Sequence, residues 1–158
     1  MKKLKLYLDT SVLNFYYAND SPEEKAITQE LFREIKSGSY TAYISSTVLE
    51  EISRASKQKQ KDLLSLIEEF NLMPLELDEE IENLASLYIK HKIIPQKYEE
   101  DAVHIAVAVV NDLDVIVSWN FEHIVKLKTK INVNGINKME GYKEIEIYSP
   151  MEVIDYEL

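Results

Sequence analysis

The chain has 158 residues, no cysteine, 46% hydrophobic and 29% charged residues, and a formal net charge of −10. Those values exclude a disulfide-stapled scaffold and any thiolate metal site, and they argue against a non-specific coat on nucleic acid, which needs basic surface. No run approaches the roughly 20 apolar residues of a membrane helix, so the expectation is one domain over residues 1–158 with a full core, working in the cytoplasm and not at a membrane.

The start, Met1-Lys2-Lys3-Leu4-Lys5-Leu6, is basic but has no long apolar segment, so no secretory signal is expected. Residues 4–8 read as a buried strand that stops at Asp9. A helix over 11–17 follows and breaks near Asn19-Asp20-Ser21-Pro22. Ser21-Pro22-Glu23-Glu24 is a helix start with serine cap, proline and first-turn acids. That helix carries Ala26, Ile27, Leu31, Phe32 and Ile35 on one face and ends near Gly38. Residues 40–45 alternate as a strand, and Ser46 or Thr47 is expected to cap the helix after it.

Residues 62–70 read as helix and 72–77 as a short strand weakened by Pro74. Asp78 caps a helix through Ile89, and Ile93-Ile94-Pro95 makes a turn. The helix over 98–111 is apolar nearly all round after Asp101, so it should be central and buried. Residues 115–117 form a strand ending at Ser118. Residues 123–139 read as a helix interrupted at Asn134-Gly135. A last strand over 144–148 and a turn at Ser149-Pro150 complete the chain. Strands alternating with helices imply a three-layer α/β/α sandwich around a mostly parallel sheet of about five strands.

The chemistry lies at the strand ends. Asp9 closes the first strand. Glu50 and Glu51 fall in the first helical turns after the second, Asp101 opens the buried helix, and Ser118-Trp119-Asn120 follows the fourth strand. In a parallel sheet these places converge on one edge, where ligands bind. Clustered carboxylates repel one another and need a cation, and hard oxygen donors select Mg²⁺ or Mn²⁺. Taken singly, Asp9 reads equally well as a helix cap and Asp101 as a first-turn acid complementing the helix dipole.

Two basic runs stand out in this acidic chain. Arg54, Lys57, Lys59 and Lys61 form one, and Lys126, Lys128, Lys130 and Lys138 the other. They read either as solvated helix faces or as contacts for the phosphates of a nucleic acid. Trp119 and the Tyr16-Tyr17 pair read either as packing groups or as platforms for a base.

Four segments in this order, Leu8-Asp9-Thr10-Ser11-Val12-Leu13, Ile44 to Ile52, Asp101-Ala102-Val103-His104-Ile105-Ala106 and Ile116 to Ile124, resemble a PIN domain of the kind found as the toxin in VapBC-type toxin–antitoxin pairs. The resemblance covers nearly the whole chain. It implies a metal-dependent ribonuclease whose acids are Asp9, Glu51 (selected over Glu50) and Asp101, holding Mg²⁺ or Mn²⁺. The family's fourth acid position is Asn120 here, which can donate an oxygen or orient water but brings no charge. Ser11, Thr10, Ser118 and Glu50 would support these ligands, and Trp119, Lys57 and Arg54 would meet RNA. His104 and His123 are expected to take supporting or core roles. The resemblance also implies a small antitoxin partner and a homodimer. A non-catalytic PIN-like module that binds RNA or protein is the alternative. A phosphotransferase using Asp9 as nucleophile is disfavoured, because position 11 is serine where that chemistry needs a second aspartate.

Overall fold

The computed structural model describes residues 3–154. Met1 and Lys2, part of the basic start, lie outside them, as does the end of the domain drawn over 1–158. The elements are β1 (Leu4–Leu8), α1 (Thr10–Phe15), α2 (Pro22–Lys36), β2 (Tyr40–Ser45), α3 (Ser46–Ser53), α4 (Lys57–Glu69), β3 (Met73–Leu75), α5 (Glu79–Lys90), a 3₁₀ turn (Gln96–Tyr98), α6 (Glu99–Val110), β4 (Val115–Val117), α7 (Leu127–Met139), β5 (Glu146–Tyr148) and α8 (Pro150–Val153).

All strand pairings are parallel, in the order β3-β2-β1-β4-β5. The chain therefore builds outward from β1 on one side and returns to its other side for β4. That reversal puts the topological switch point at the carboxyl ends of β1 and β4, the place where open α/β sheets bind ligands. Strand residues alternate between two cores. Leu6, Leu8, Ala42, Ile44, Val115 and Val117 pack with residues of α1, α2, α3 and α4. Tyr7, Ile116 and Ile147 face α5, α6 and α7. The three-layer α/β/α architecture and five-stranded parallel sheet expected from the alternating pattern are both present. The helix that reads apolar all round is α6, with Ala102 and the run His104 to Val109 buried.

Local boundaries differ from the sequence reading for identifiable reasons. Ser45, not Ser46 or Thr47, stands at the N-cap of α3, and its hydroxyl goes to Tyr7 instead of capping. Helix α4 begins at Lys57, because Ser56 caps it by accepting from the Lys59 N–H at 3.3 Å. Strand β3 is only three residues long and lies at the sheet's edge, the place where Pro74 costs least. Helix α7 starts at Leu127 and runs unbroken through Asn134-Gly135. Asn134 turns its amide outward to clasp Ile145, accepting its N–H at 2.8 Å and donating to its carbonyl at 3.0 Å. Those contacts offset the roughly 1 kcal/mol that a helix-interior glycine costs against alanine.

Candidate metal centre

Asp9 is the first residue beyond β1. It caps α1, with Oδ1 accepting from the Val12 N–H at 3.3 Å. Two hydroxyls also point at it: Ser11 to Oδ1 and Ser118 to Oδ2, each at 2.5 Å. Ser118 comes from the end of β4, so the bond spans the switch point of the sheet. The cap reading and the ligand reading therefore describe one carboxylate held in one place. Asp9 is only 4% exposed. Burial pushes its carboxyl up, against the charge of His104 and the bonds from Ser11, Ser118 and Val12.

Glu51 projects from α3 toward the same edge. Its Oε1 accepts from the Thr10 hydroxyl at 3.0 Å and lies 2.7 Å from His104 Nε2. Burial alone would raise this carboxyl, but the bond and charge of His104, with Thr10 and Arg54, outweigh it and hold Glu51 below its ordinary range. His104, buried one turn past Asp101, shows the converse. Burial would lower it, yet the Glu51 bond and the charges of Asp9, Glu51 and Asp101 bring it out raised. One imidazole thus feels all three acids.

Asp101 lies in the first turn of α6, where the helix dipole favours a carboxylate. Its Oδ2 accepts from Asn120 Nδ2 at 3.3 Å and lies 3.1 Å from His123 Nδ1. Burial raises this carboxyl too, opposed by the His123 bond and the two histidine charges, with Glu51 adding to the rise. Asp101 and Asp9 flank a single turn. Ser118 Oγ, which donates to Asp9, accepts from the Asn120 N–H at 2.9 Å, and Asn120 in turn reaches Asp101.

The structure revises several expectations. Asn120 does not offer its oxygen to the site. Oδ1 accepts the backbone N–H groups of Glu122 at 3.2 Å and His123 at 3.0 Å, which turns the amide nitrogen toward Asp101. Glu50 is exposed and lines a neighbouring cleft with Arg54 and Glu100. Arg54 does not stand free for a phosphate: its Nη1 lies 3.1 Å from both Glu100 oxygens. Lys57 is exposed at the start of α4. Trp119 is no base platform. It is 7% exposed, its indole N–H donates to the Thr28 hydroxyl at 2.9 Å, and its ring packs against Phe15 and Phe121. Its backbone N–H instead secures Ser11 at 2.9 Å. As the only tryptophan, it should fluoresce from a shielded site. Iodide quenching should be weak and its emission unchanged when an RNA oligomer is added, and strong quenching by RNA would restore the stacking role.

Sequence reasoning did not single out Tyr7, Ser45, Glu100 or Tyr98, whose ring lies 4.1 Å from that of His123. Tyr7 carried a signal, a lone hydroxyl in the central strand of a parallel sheet, where near-continuous aliphatic residues are usual.

The donor set is of the hard-oxygen type. Both bonds to Glu51 fall on Oε1 and both to Asp101 on Oδ2, so each acid has its second oxygen uncommitted among the described residues. As they stand, no three Asp, Glu or His side chains among the described residues converge on a common metal position. Mg²⁺ is commonly held by one or two carboxylates with water in the remaining positions, so two of these acids would be enough, with the third reaching the ion directly or through water.

A PIN domain family model matches residues 6–123, well over half of the chain and all three of these acids. The chain belongs to the PIN domain family. No curated protein sequence matches this PIN domain. Among solved structures it is similar to a chain of VapBC2 from Rickettsia felis, determined bound to a DNA fragment from the promoter, with a TM-score of 0.59. Identity is 16%, over 92% of this chain and 98% of that one, a likeness of fold. No helix among the described residues is long and apolar enough to cross a membrane.

Proposed function

We propose that this PIN domain is an endoribonuclease that hydrolyses RNA phosphodiester bonds with Mg²⁺ or Mn²⁺, and that it is the toxin of a type II toxin–antitoxin pair. The single observation that carries the reading is the set of three carboxylates, delivered by the end of β1, by α3 and by α6 to the switch point of the sheet, with one buried histidine in the field of all three. PIN domains are generally nucleases, which supports the same reading.

In this reading Asp9 and Asp101 hold the ion, with Glu51 bound to it directly or through water. A divalent ion there would neutralise the phosphate and acidify an attacking water. The chain's own residues do the rest. Ser11 and Ser118 fix both oxygens of Asp9. Asn120 and His123 fix Asp101, and Thr10 and His104 fix Glu51. Arg54 and Lys57 lie on the side of α3 and α4, and Arg54 would have to leave Glu100 to meet a phosphate. A small antitoxin covering the three acids and a homodimer belong to the proposal. Support comes from the fold likeness to a chain solved as a VapBC complex.

The test is cleavage of RNA by the purified protein. Cutting should need Mn²⁺ or Mg²⁺, stop with EDTA, and fall by at least about a hundredfold in Asp101→Asn, as loss of an electrostatic group at the reacting centre does. Equal cleavage with EDTA or by Asp101→Asn rejects the proposal. The second reading, a non-catalytic module, is favoured by Asn120, which leaves the site one charge short and turns its oxygen to the backbone. It requires RNA or protein binding that is indifferent to metal.

A further inference from the structure

Beneath the acids, the core holds a run of polar groups that an ordinary sheet-to-helix contact does not require. Ser45 Oγ lies 2.7 Å from the Tyr7 hydroxyl, which lies 2.6 Å from His104 Nδ1, and His104 Nε2 lies 2.7 Å from Glu51 Oε1. Ser45 and Tyr7 are 0% exposed and His104 2%. The three come from β2, β1 and α6, so only the tertiary structure joins them.

Burying hydroxyls and an imidazole costs free energy unless each finds a partner. Apolar residues of matching shape at all three positions would hold the layers nearly as well, so stability does not account for the run. It has one outlet. Glu51, with its side chain 26% exposed, is the member that reaches the surface. Thr10 and His104 both grip Oε1, which leaves Oε2 as the oxygen for a ligand. A glutamate on a two-turn helix would otherwise sample several rotamers. Such outer partners of a ligand commonly set metal affinity.

We propose that Ser45, Tyr7 and His104 are positioning residues for Glu51, a buried relay that holds its free oxygen toward the metal and the substrate phosphate. The inference rests on the nuclease reading above, and its test separates the two.

Tyr7→Phe, His104→Leu and His104→Gln would be compared with wild type for Mn²⁺ affinity by EPR titration without RNA, for single-turnover cleavage, and for melting temperature. Tyr7→Phe and His104→Leu should lose about tenfold or more in Mn²⁺ affinity and rate, and should melt below wild type, since each leaves a buried partner unpaired. His104→Gln, which keeps a donor, should recover part of the loss. In a Glu51→Gln background His104→Leu should have no further effect. Undiminished affinity and rate in Tyr7→Phe, or an equal loss from His104→Leu in both backgrounds, overturns the relay and marks the run as packing. If wild type neither binds Mn²⁺ nor cuts RNA, the nuclease reading fails by itself. The crystal structure of His104→Leu then decides the relay, supported by a Glu51 spread over several rotamers and overturned by one that has not moved.

Discussion

Asp9→Asn should abolish metal-dependent RNA cleavage, by on the order of a thousandfold, while the protein melts at a higher temperature than wild type. Both effects come from the same burial. The carboxylate is almost wholly enclosed, and its neighbours are hydroxyls and a backbone N–H that an amide also satisfies, since Oδ1 can still accept from Val12 and Ser11, and the new Nδ2 can donate to Ser118 once that hydroxyl turns its own proton to Ser11 Oγ, 3.5 Å away. The substitution thus removes a charge from a low-dielectric place without orphaning a partner, which is the condition under which activity and stability trade against each other.

The pH dependence follows from the direction of the shift. Asp9's folded pKa is raised by burial, so the folded state keeps its proton longer than the unfolded state, whose aspartate titrates near ~3.9. Its contribution is full below that value and is lost as pH rises through the folded pKa. Wild type and Asp9→Asn should therefore have similar stability in acid, and the gap should open as pH rises and persist at neutral pH. Glu51, held low, runs the other way: its contribution is present above the ordinary glutamate range and is lost as pH falls through its folded value. Added Mn²⁺ should raise the melting temperature of wild type and leave Asp9→Asn unmoved, because an ion that binds only the folded form stabilises it. Retained cleavage in Asp9→Asn, or a melting temperature below wild type at neutral pH, contradicts the placement of this charge.

The second large effect concerns the core on the other side of the sheet. Phe32→Ala should cost about 3–5 kcal/mol of unfolding free energy, read as a lower urea midpoint with an unchanged slope. Phe32 is 0% exposed, in the C-terminal half of α2. Its ring lies 5.2 Å from Tyr16 and 4.9 Å from Phe70, in edge-on arrangements that bind the end of α1 and the end of α4 to α2. Such ring pairs add to the burial itself. Residues of three helices line the space, so it cannot close by moving one side chain, and the loss belongs at the upper part of the range. A loss under about 1 kcal/mol would mean that the three helices collapse onto the gap and are less tightly tied than the ring geometry indicates.

Periodicity made the layers legible because each face of each element must bury its apolar residues somewhere. The 3.6-residue stripe of Ile27, Leu31, Phe32 and Ile35, the alternation through Tyr40 to Ser45, and the all-round apolar run after Asp101 each permit one burial pattern, and the α/β/α layering follows from their order. The same logic located the acids, since a carboxylate that ends a buried strand or opens a buried helix has to lie at the sheet's carboxyl edge. Boundaries were less legible where a side chain had a choice of partner. Ser45 capping nothing, Ser56 capping α4, and Asn134 clasping Ile145 are decided by neighbours up to dozens of residues away.

Side-chain direction was decided by the tertiary structure alone. Nothing in the local sequence distinguishes a tryptophan that stacks on a base from one that donates to Thr28, 91 residues away. The pairing of Glu51 with His104 spans 53 residues, and that of Tyr7 with His104 spans 97. Hydrophobic pattern is a property of neighbours along the chain and survives in one dimension. The hydrogen-bond partner of a buried polar atom is a property of whatever the fold brings within 3 Å, and that distance exists only once the layers have closed.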